Sequence, residues 1–216
     1  MDPRLTFALI SAYLLGSVPS AYLIARWVGG VDIRTVGDGN VGAKNVWEQV
    51  GRVPGATVAL MDVAKGMTAV MLAQRLGLSE LAVLLTGFVA VLGHDFMLFL
   101  RFRGGQGMAT MVGVFLVLLP RETLAIGAVA GVTLLVTRHW EFSTGVGFAL
   151  LPVLAWWTGR PPRLLLYPVV LLPTIGIRKL MDRPIARRIA ARRRHEPLSP
   201  EEEAVARPER HQGWGR

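Results

Sequence analysis

The 216-residue sequence contains no cysteine. That absence excludes disulfides, a thiolate nucleophile and cysteine-ligated metal, and it leaves the redox compartment unread. Histidine is scarce: His94, His139, His195 and His211 show no ligand-pair spacing, so no metal site is expected. Charge is also in short supply. Only 18% of residues are charged, 52% are hydrophobic and the mean hydropathy is +0.43; a soluble domain is about a quarter charged. Acids are outnumbered, 15 against 24 Lys and Arg, for a net charge of +9. The bases flank apolar blocks and crowd the C-terminal end. That distribution fits anionic lipid head groups and gives no reason to expect nucleic acid. No internal repeat is visible, which argues against an inverted-repeat transporter.

The apolar residues come in blocks of bilayer scale. Leu5 to Ala25 is uncharged and reads as a transmembrane helix kinked near Pro19. A cleaved signal peptide is the rival reading, but "MDPR" is a poor positively charged leader. Val53 to Gln74 and Leu81 to Leu100 follow, then four shorter blocks: Met108–Leu119, Leu124–Thr137, Phe142–Trp157 and Leu164–Ile177. The expected fold is an all-α integral membrane protein of about seven transmembrane helices with glycine-rich cytoplasmic loops. A membrane-embedded unit covers 1–180, and a basic, partly disordered cytoplasmic tail covers 181–216.

If all seven blocks cross, one face holds only Arg4, Arg75, Arg121, Arg160 and Arg163, and every other base except Lys65 falls on the opposite face. The positive-inside rule then puts the N-terminus outside and the C-terminus in the cytoplasm. Both glycine-rich loops and the basic tail share that cytoplasmic face.

The first loop, "VGDGNVGAKN", carries G-x-G-x-x-G at Gly37, Gly39 and Gly42. A dinucleotide fold would need a strand before it and a second strand after it. Here a span precedes it, and Asp62, at the position of the ribose-binding acid, lies in a membrane helix. The physics of the motif survives: successive backbone N–H groups in a glycine turn form an anion-binding concavity, and a helix start adds positive potential. Asn40, Ala43 and Asn45 begin such a helix, running through Val50. Arg101 to Gly107, "RFRGGQG", is a second basic glycine loop with a helix start at Met108. Tight turns alone would explain either loop; two on one face favour a phosphate-type site.

The segments "GSVPSAYLIARWVGGVDIRTVGDGNVGAKNVWEQVG", "DVAKG" and "GHDFMLFLRFRGGQGMAT" resemble the bacterial acyl-phosphate:glycerol-3-phosphate acyltransferases, with a looser echo in "TRHWEFSTGVGFALL". The resemblance implies a seven-span inner-membrane enzyme of phospholipid biosynthesis. Such an enzyme moves a fatty acyl group from acyl phosphate to the 1-hydroxyl of glycerol 3-phosphate, giving lysophosphatidic acid. No cofactor is implied; the partners are those two substrates and the anionic phospholipid membrane.

The resemblance implies a site built on Gly37, Gly39, Asn40, Gly42 and Asn45 in the first loop and Gly104, Gly105 and Gly107 in the second. Asp38, Lys44, Glu48 and Gln106 replace the family's serine, threonine, arginine and lysine, and its third motif is not recognisable after the last block. Asp38, Asn40 and His94 are the candidate catalytic groups, with Asp38 able to receive the hydroxyl proton. Arg34, Lys44, Arg101, Arg103 and Gln106 join the loop glycines and Asn45 as candidate substrate-binding residues. Lys44 and Glu48 are also spaced to pair with each other on a helix. The other reading of these replacements is a divergent relative without this activity, or with another anionic substrate, serving as a membrane binding or regulatory protein.

Asp62 and Lys65 lie on one helix face inside a span, as a locking ion pair or as part of a site. Ile185 and Ile189 in the arginine-rich tail predict a short amphipathic helix on the inner leaflet, and the chain from "EEEA" onward reads as disordered.

Overall fold

The computed structural model describes residues 2–195, with side chains to residue 192; the stretch from "EEEA" onward lies outside the described residues. Among the described residues there are nine α-helices and no strand. The first apolar block is broken at Pro19 into α1 (Pro3–Gly16) and α2 (Ser20–Gly29). Then come α3 (Ala43–Gln49), α4 (Arg52–Arg75), α5 (Glu80–Asp95), a single 3-10 turn at Leu98–Leu100, α6 (Met108–Leu118), α7 (Pro120–Thr137), α8 (Trp140–Trp157) and α9 (Pro162–His195).

Every apolar block is therefore helical. Among the described residues, four stretches are long and apolar enough to cross a membrane: Pro3–Gly29, Arg52–Arg75, Glu80–Leu100 and Pro162–Arg192. α6, at 11 residues, reaches about 16 Å, roughly half the hydrocarbon thickness. α9 has 34 residues, about 51 Å of helix, so it overshoots the bilayer. The expected separate helix at Ile185–Ile189 is instead the last part of α9, continuous with its span. Its apolar positions face the first glycine loop rather than lipid: a side chain at Gly39 would run into Ile185 and Ile189.

The helices pack through small residues. Lipid tails are as apolar as the helices, so association depends on close van der Waals contact. Gly66 of α4 lies against the Thr110 carbonyl of α6, and Gly113 of α6 against the Val63 carbonyl of α4. Gly16 of α1 and Gly93 of α5 do the same for that pair. The main apolar cluster fills the space between α4, α5, α6, α8 and α9. In it Phe115 meets Phe148 and Tyr167 edge-on at 6.3 and 6.1 Å, and the Tyr167 hydroxyl donates to the Leu84 carbonyl at 2.7 Å.

Polar clasps hold the ends. On the side away from the glycine loops, the buried Glu122 accepts from Arg160 Nε (2.7 Å), Arg160 Nη2 (3.1 Å) and Thr158 Oγ1 (2.7 Å), joining α7 to the α8–α9 turn. On the loop side the Tyr13 hydroxyl donates to Phe96 O at 2.8 Å. Ser17 Oγ donates to Gly93 O and accepts from Leu98 N, both at 3.3 Å.

Gly66→Val is expected to wedge α4 from α6 and lower stability by about 1–3 kcal/mol. Gly127→Ala, where nothing lies within 4 Å, is expected to be neutral or to stabilise by up to about 1 kcal/mol. Thermal unfolding of both variants in the same detergent distinguishes them.

Candidate functional site

The two glycine loops meet. A side chain at Gly105 would collide with the Val41 carbonyl of the first loop and with the His94 imidazole, so main chain packs on main chain. Both loops lie on one face of the bundle, with the α7–α8 turn and the far end of α9.

The first loop is held from within by Asn45. Its Nδ2 lies 3.1 Å from Ile33 O, 3.1 Å from Val36 O and 3.0 Å from Asn40 O, and the residue is fully buried. This amide shapes the loop and faces no solvent. Gly37 and Gly39 have φ of 61° and 73°, the left-handed region that glycine enters without strain. Asp38 Oδ1 accepts from Asn40 N at 2.9 Å, closing an Asx turn and leaving Oδ2 outside that bond. Asn40 is buried. Gly42 caps α3, which begins at Ala43 as the sequence predicts.

The loop's bases are already engaged. Arg34 forks onto Asp32, Nε to Oδ1 at 2.9 Å and Nη2 to Oδ2 at 2.6 Å, and stacks 4.9 Å over Tyr22. The Arg34 hydrogen bond holds the Asp32 carboxyl below its ordinary range, so the pair stays charged and mutually neutralised at neutral pH. Lys44 lies 3.8 Å from Glu48, the pairing its spacing predicts, and 3.8 Å from Glu141 of α8. Glu141 also meets Lys179 of α9 at 3.3 Å, so one carboxylate bridges three helices. A cavity of about 500 Å³ opens here, lined by Lys44, Glu48 and residues 138–142.

The second loop is gripped from α9. Arg178 is buried; its Nε donates to Gly105 O at 3.1 Å, and its Nη2 to Gly104 O and Asp182 Oδ1, each at 2.9 Å. Gln106 lies beside Asp182. Gly105 N donates to His94 O at 3.0 Å. The loop is entered through Arg101 and Phe102, two non-glycine residues in the left-handed region at φ 55° and 62°. Phe102 N–H bonds Met97 O at 2.8 Å and Arg103 N–H bonds Leu100 O at 3.2 Å, which fixes that turn. Arg101 and Arg103 are exposed and have no ion-pair partner among the described residues. Gly107 precedes α6, whose first intrahelical bond runs from Met111 N to Gly107 O at 2.8 Å. The N–H groups of Met108, Ala109 and Thr110 therefore point out of the helix start.

The fold thus brings together Asp38, Asn40, the loop glycines, Gln106 and His94, with Arg101 and Arg103 at the rim. It sets Arg34 and Lys44 in ion pairs and buries Asn45. Sequence reasoning did not single out Arg178 or Glu141. Arg178 is the first base after the last apolar block, a position from which a long side chain reaches back to the bilayer edge.

The sequence matches the family described as glycerol-3-phosphate acyltransferase over residues 6–187. A glycerol-3-phosphate acyltransferase 1 of Dehalococcoides mccartyi is 39% identical over 81% of this chain and 87% of its own length. One from Thermus thermophilus is 43% identical over 72% and 77%. The crystal structure of PlsY (YgiH), an integral membrane glycerol 3-phosphate acyltransferase in its glycerol 3-phosphate form, superposes with a TM-score of 0.76 at 31% identity. That match covers 93% of this chain and 98% of that one. The lysophosphatidic acid form of PlsY gives 0.73 at 30%, over 85% and 93%.

Asn45→Asp would turn a carboxylate toward three carbonyl oxygens inside a buried loop. It is expected to cost about 3 kcal/mol or more in chemical or thermal unfolding, with Asn45→Ala less severe.

Proposed function

The chain belongs to the glycerol-3-phosphate acyltransferase family, and on that premise we propose that the junction of its two glycine loops is where it transfers a fatty acyl group from acyl phosphate to the 1-hydroxyl of glycerol 3-phosphate, releasing lysophosphatidic acid and inorganic phosphate. It is an integral membrane acyltransferase of phospholipid biosynthesis. The observation that carries the site is the packing of Gly105 on the Val41 carbonyl: one substrate pair can bridge loops that touch.

The chemistry needs three things of the protein. The acyl phosphate must be held as an anion, its carbonyl oxygen must be stabilised as charge develops, and the attacking hydroxyl must lose a proton. Arg101 and Arg103 supply mobile positive charge, and the open N–H groups at the start of α6 supply fixed donors. Asp38 receives the hydroxyl proton on the carboxylate oxygen left over from its bond to Asn40 N. The hydroxyl oxygen adds to the acyl carbon, the acyl–phosphate bond breaks, and phosphate leaves with the bonding pair. Asn40, Gln106 and His94 line the junction. Gly37, Gly39, Gly42, Gly104, Gly105 and Gly107 keep it open to main-chain contact, Arg34, Lys44 and Asn45 support it, and no cofactor enters.

The basic residues favour a cytoplasmic-facing site in the bacterial inner membrane, with the N-terminus outside and the C-terminus in the cytoplasm. A chain without cysteine suits single-site labelling. Arg121→Cys is expected to react with a membrane-impermeant maleimide on intact spheroplasts, and Arg192→Cys only after lysis; the reverse pattern inverts the topology.

Purified protein given labelled acyl phosphate and glycerol 3-phosphate is expected to form lysophosphatidic acid. Asp38→Asn keeps the acceptor for Asn40 N but cannot take a proton, and kcat is expected to fall about 100-fold. A folded preparation with no product above blank would leave the binding or regulatory reading.

A further inference from the structure

Beneath the second glycine loop lies a polar cluster of which the proposed transfer uses His94 alone. Ser20 of α2, Asp62 and Lys65 of α4 and His94 of α5 are each more than nine-tenths buried. Lys65 Nζ sits 2.8 Å from Asp62 Oδ1 and donates to Val18 O at 3.3 Å, a carbonyl in the break between α1 and α2. Ser20 Oγ donates to the same Asp62 oxygen. That oxygen lies 3.7 Å from His94 Nδ1, which has no hydrogen-bond partner within the described residues. The opposite edge of the imidazole, at Nε2, lies against Gly105 with no room for a Cβ between them. The same residue's carbonyl accepts the Gly105 N–H at 3.0 Å.

An ion pair within one helix, tied to its neighbours only through Ser20 and the Val18 carbonyl, is a costly way to hold a bundle in a bilayer, because apolar residues of similar volume often serve as well or better. Here the pair is built against His94, which packs on the second loop, a loop that Arg178 also holds at Gly104 and Gly105. We propose that Asp62 and Lys65, with Ser20, are positioning residues that set the Gly104–Gly107 loop through His94. Lys65 and Ser20 fix the Asp62 carboxylate from two sides. The carboxylate faces the ring's Nδ1 edge across 3.7 Å, without a hydrogen bond, and acts on it through charge–dipole attraction; the Nε2 edge fixes the height of Gly105 against Val41. Lys65 also ties this setting to the α1–α2 break that leads into the first loop. The kinetic consequence of this positioning rests on the acyltransferase reading; the structural consequence does not.

The test uses the full chain in detergent or nanodiscs. Asp62→Leu combined with Lys65→Met removes both charges at once, so no orphan ion stays buried. Amide hydrogen exchange over residues 104–107 is expected to speed up about 10-fold or more, with the remote α7 helix unchanged. The kcat for acyl transfer is expected to fall about 10-fold or more, as small misplacements at a reacting centre do, with KM nearly constant. In a His94→Asn background the paired replacement should add nothing to either readout. Parent-like exchange and kcat in the folded paired variant, or an equal further loss in the His94→Asn background, would overturn the proposal. If the paired variant does not fold, Ser20→Ala decides: exchange over 104–107 rises several-fold, or the proposal fails. A parent protein without turnover would refute the acyltransferase reading alone, because the exchange readout still decides the positioning.

Discussion

Polar groups that enter the interior of this helical bundle are costly unless they find a partner there, because lipid offers none; most here do, while His94 Nδ1 and the Asp95 carboxylate make no hydrogen bond among the described residues. That constraint organises the structure more than any hydrophobic gain, since helices leaving lipid for one another bury little that was ever wet. Lys65 meets Asp62 and the carbonyl exposed by the Pro19 break. Arg178 reaches back along α9 to two loop carbonyls and Asp182. Asn45 gathers three carbonyls of the first loop. In each case the polar side chain satisfies main chain that a tight glycine turn or a helix break has left open. The irregular backbone of the loops is thereby paired from below.

Small residues make that pairing possible. Close approach at Gly66 and Gly113 brings α4 and α6 together, which puts Asp62 and Lys65 one layer beneath the start of α6. The contact of Gly16 with Gly93 docks the first span on α5, and the α1–α2 break then falls beside Lys65. The helix interfaces and the site are one arrangement: loosening either contact would shift the groups under the loops.

Much of this was legible in the sequence. The break near Pro19, the helix from Ala43, the helix start at Met108 and the Lys44–Glu48 pair all follow from local rules: a helix breaker, a cap after glycine, an i, i+4 spacing. The apolar blocks marked every long helix. What stayed hidden depends on residues far apart in sequence. Arg178 holds Gly104 and Gly105, more than 70 positions away, and Glu141 joins α3 to α9. Length also misleads: α6 and α9 read as similar apolar blocks, yet one is too short to cross unaided and the other runs on over the first loop. The tail's two isoleucines carry the spacing of a lipid-facing stripe, and only the fold shows that Gly39 faces them.

If the proposed transfer takes place at these loops, the charge pattern must let a site with added carboxylates hold phosphates. Asp38 and Glu48 stand where the resembling family carries a serine and an arginine, which by itself would repel an anion. In the fold Glu48 is set against Lys44, and Glu141 against Lys44 and Lys179, so these carboxylates and amines largely cancel along the α3 side. Arg34 is likewise cancelled by Asp32. Among the described residues, the exposed bases left without an ion pair at the second loop are Arg101 and Arg103, near the start of α6, where the buried Asp95 carboxylate packs on Gly107. In the proposed transfer, an anion entering from the membrane edge would meet those arginines first and the helix-start donors second. Asp38, the proton acceptor in the proposed transfer, would then face it from the first loop, where a carboxylate is poorly suited to hold a phosphate. Dividing the labour this way lets a carboxylate sit in an anion site, provided binding and proton transfer occupy different loops.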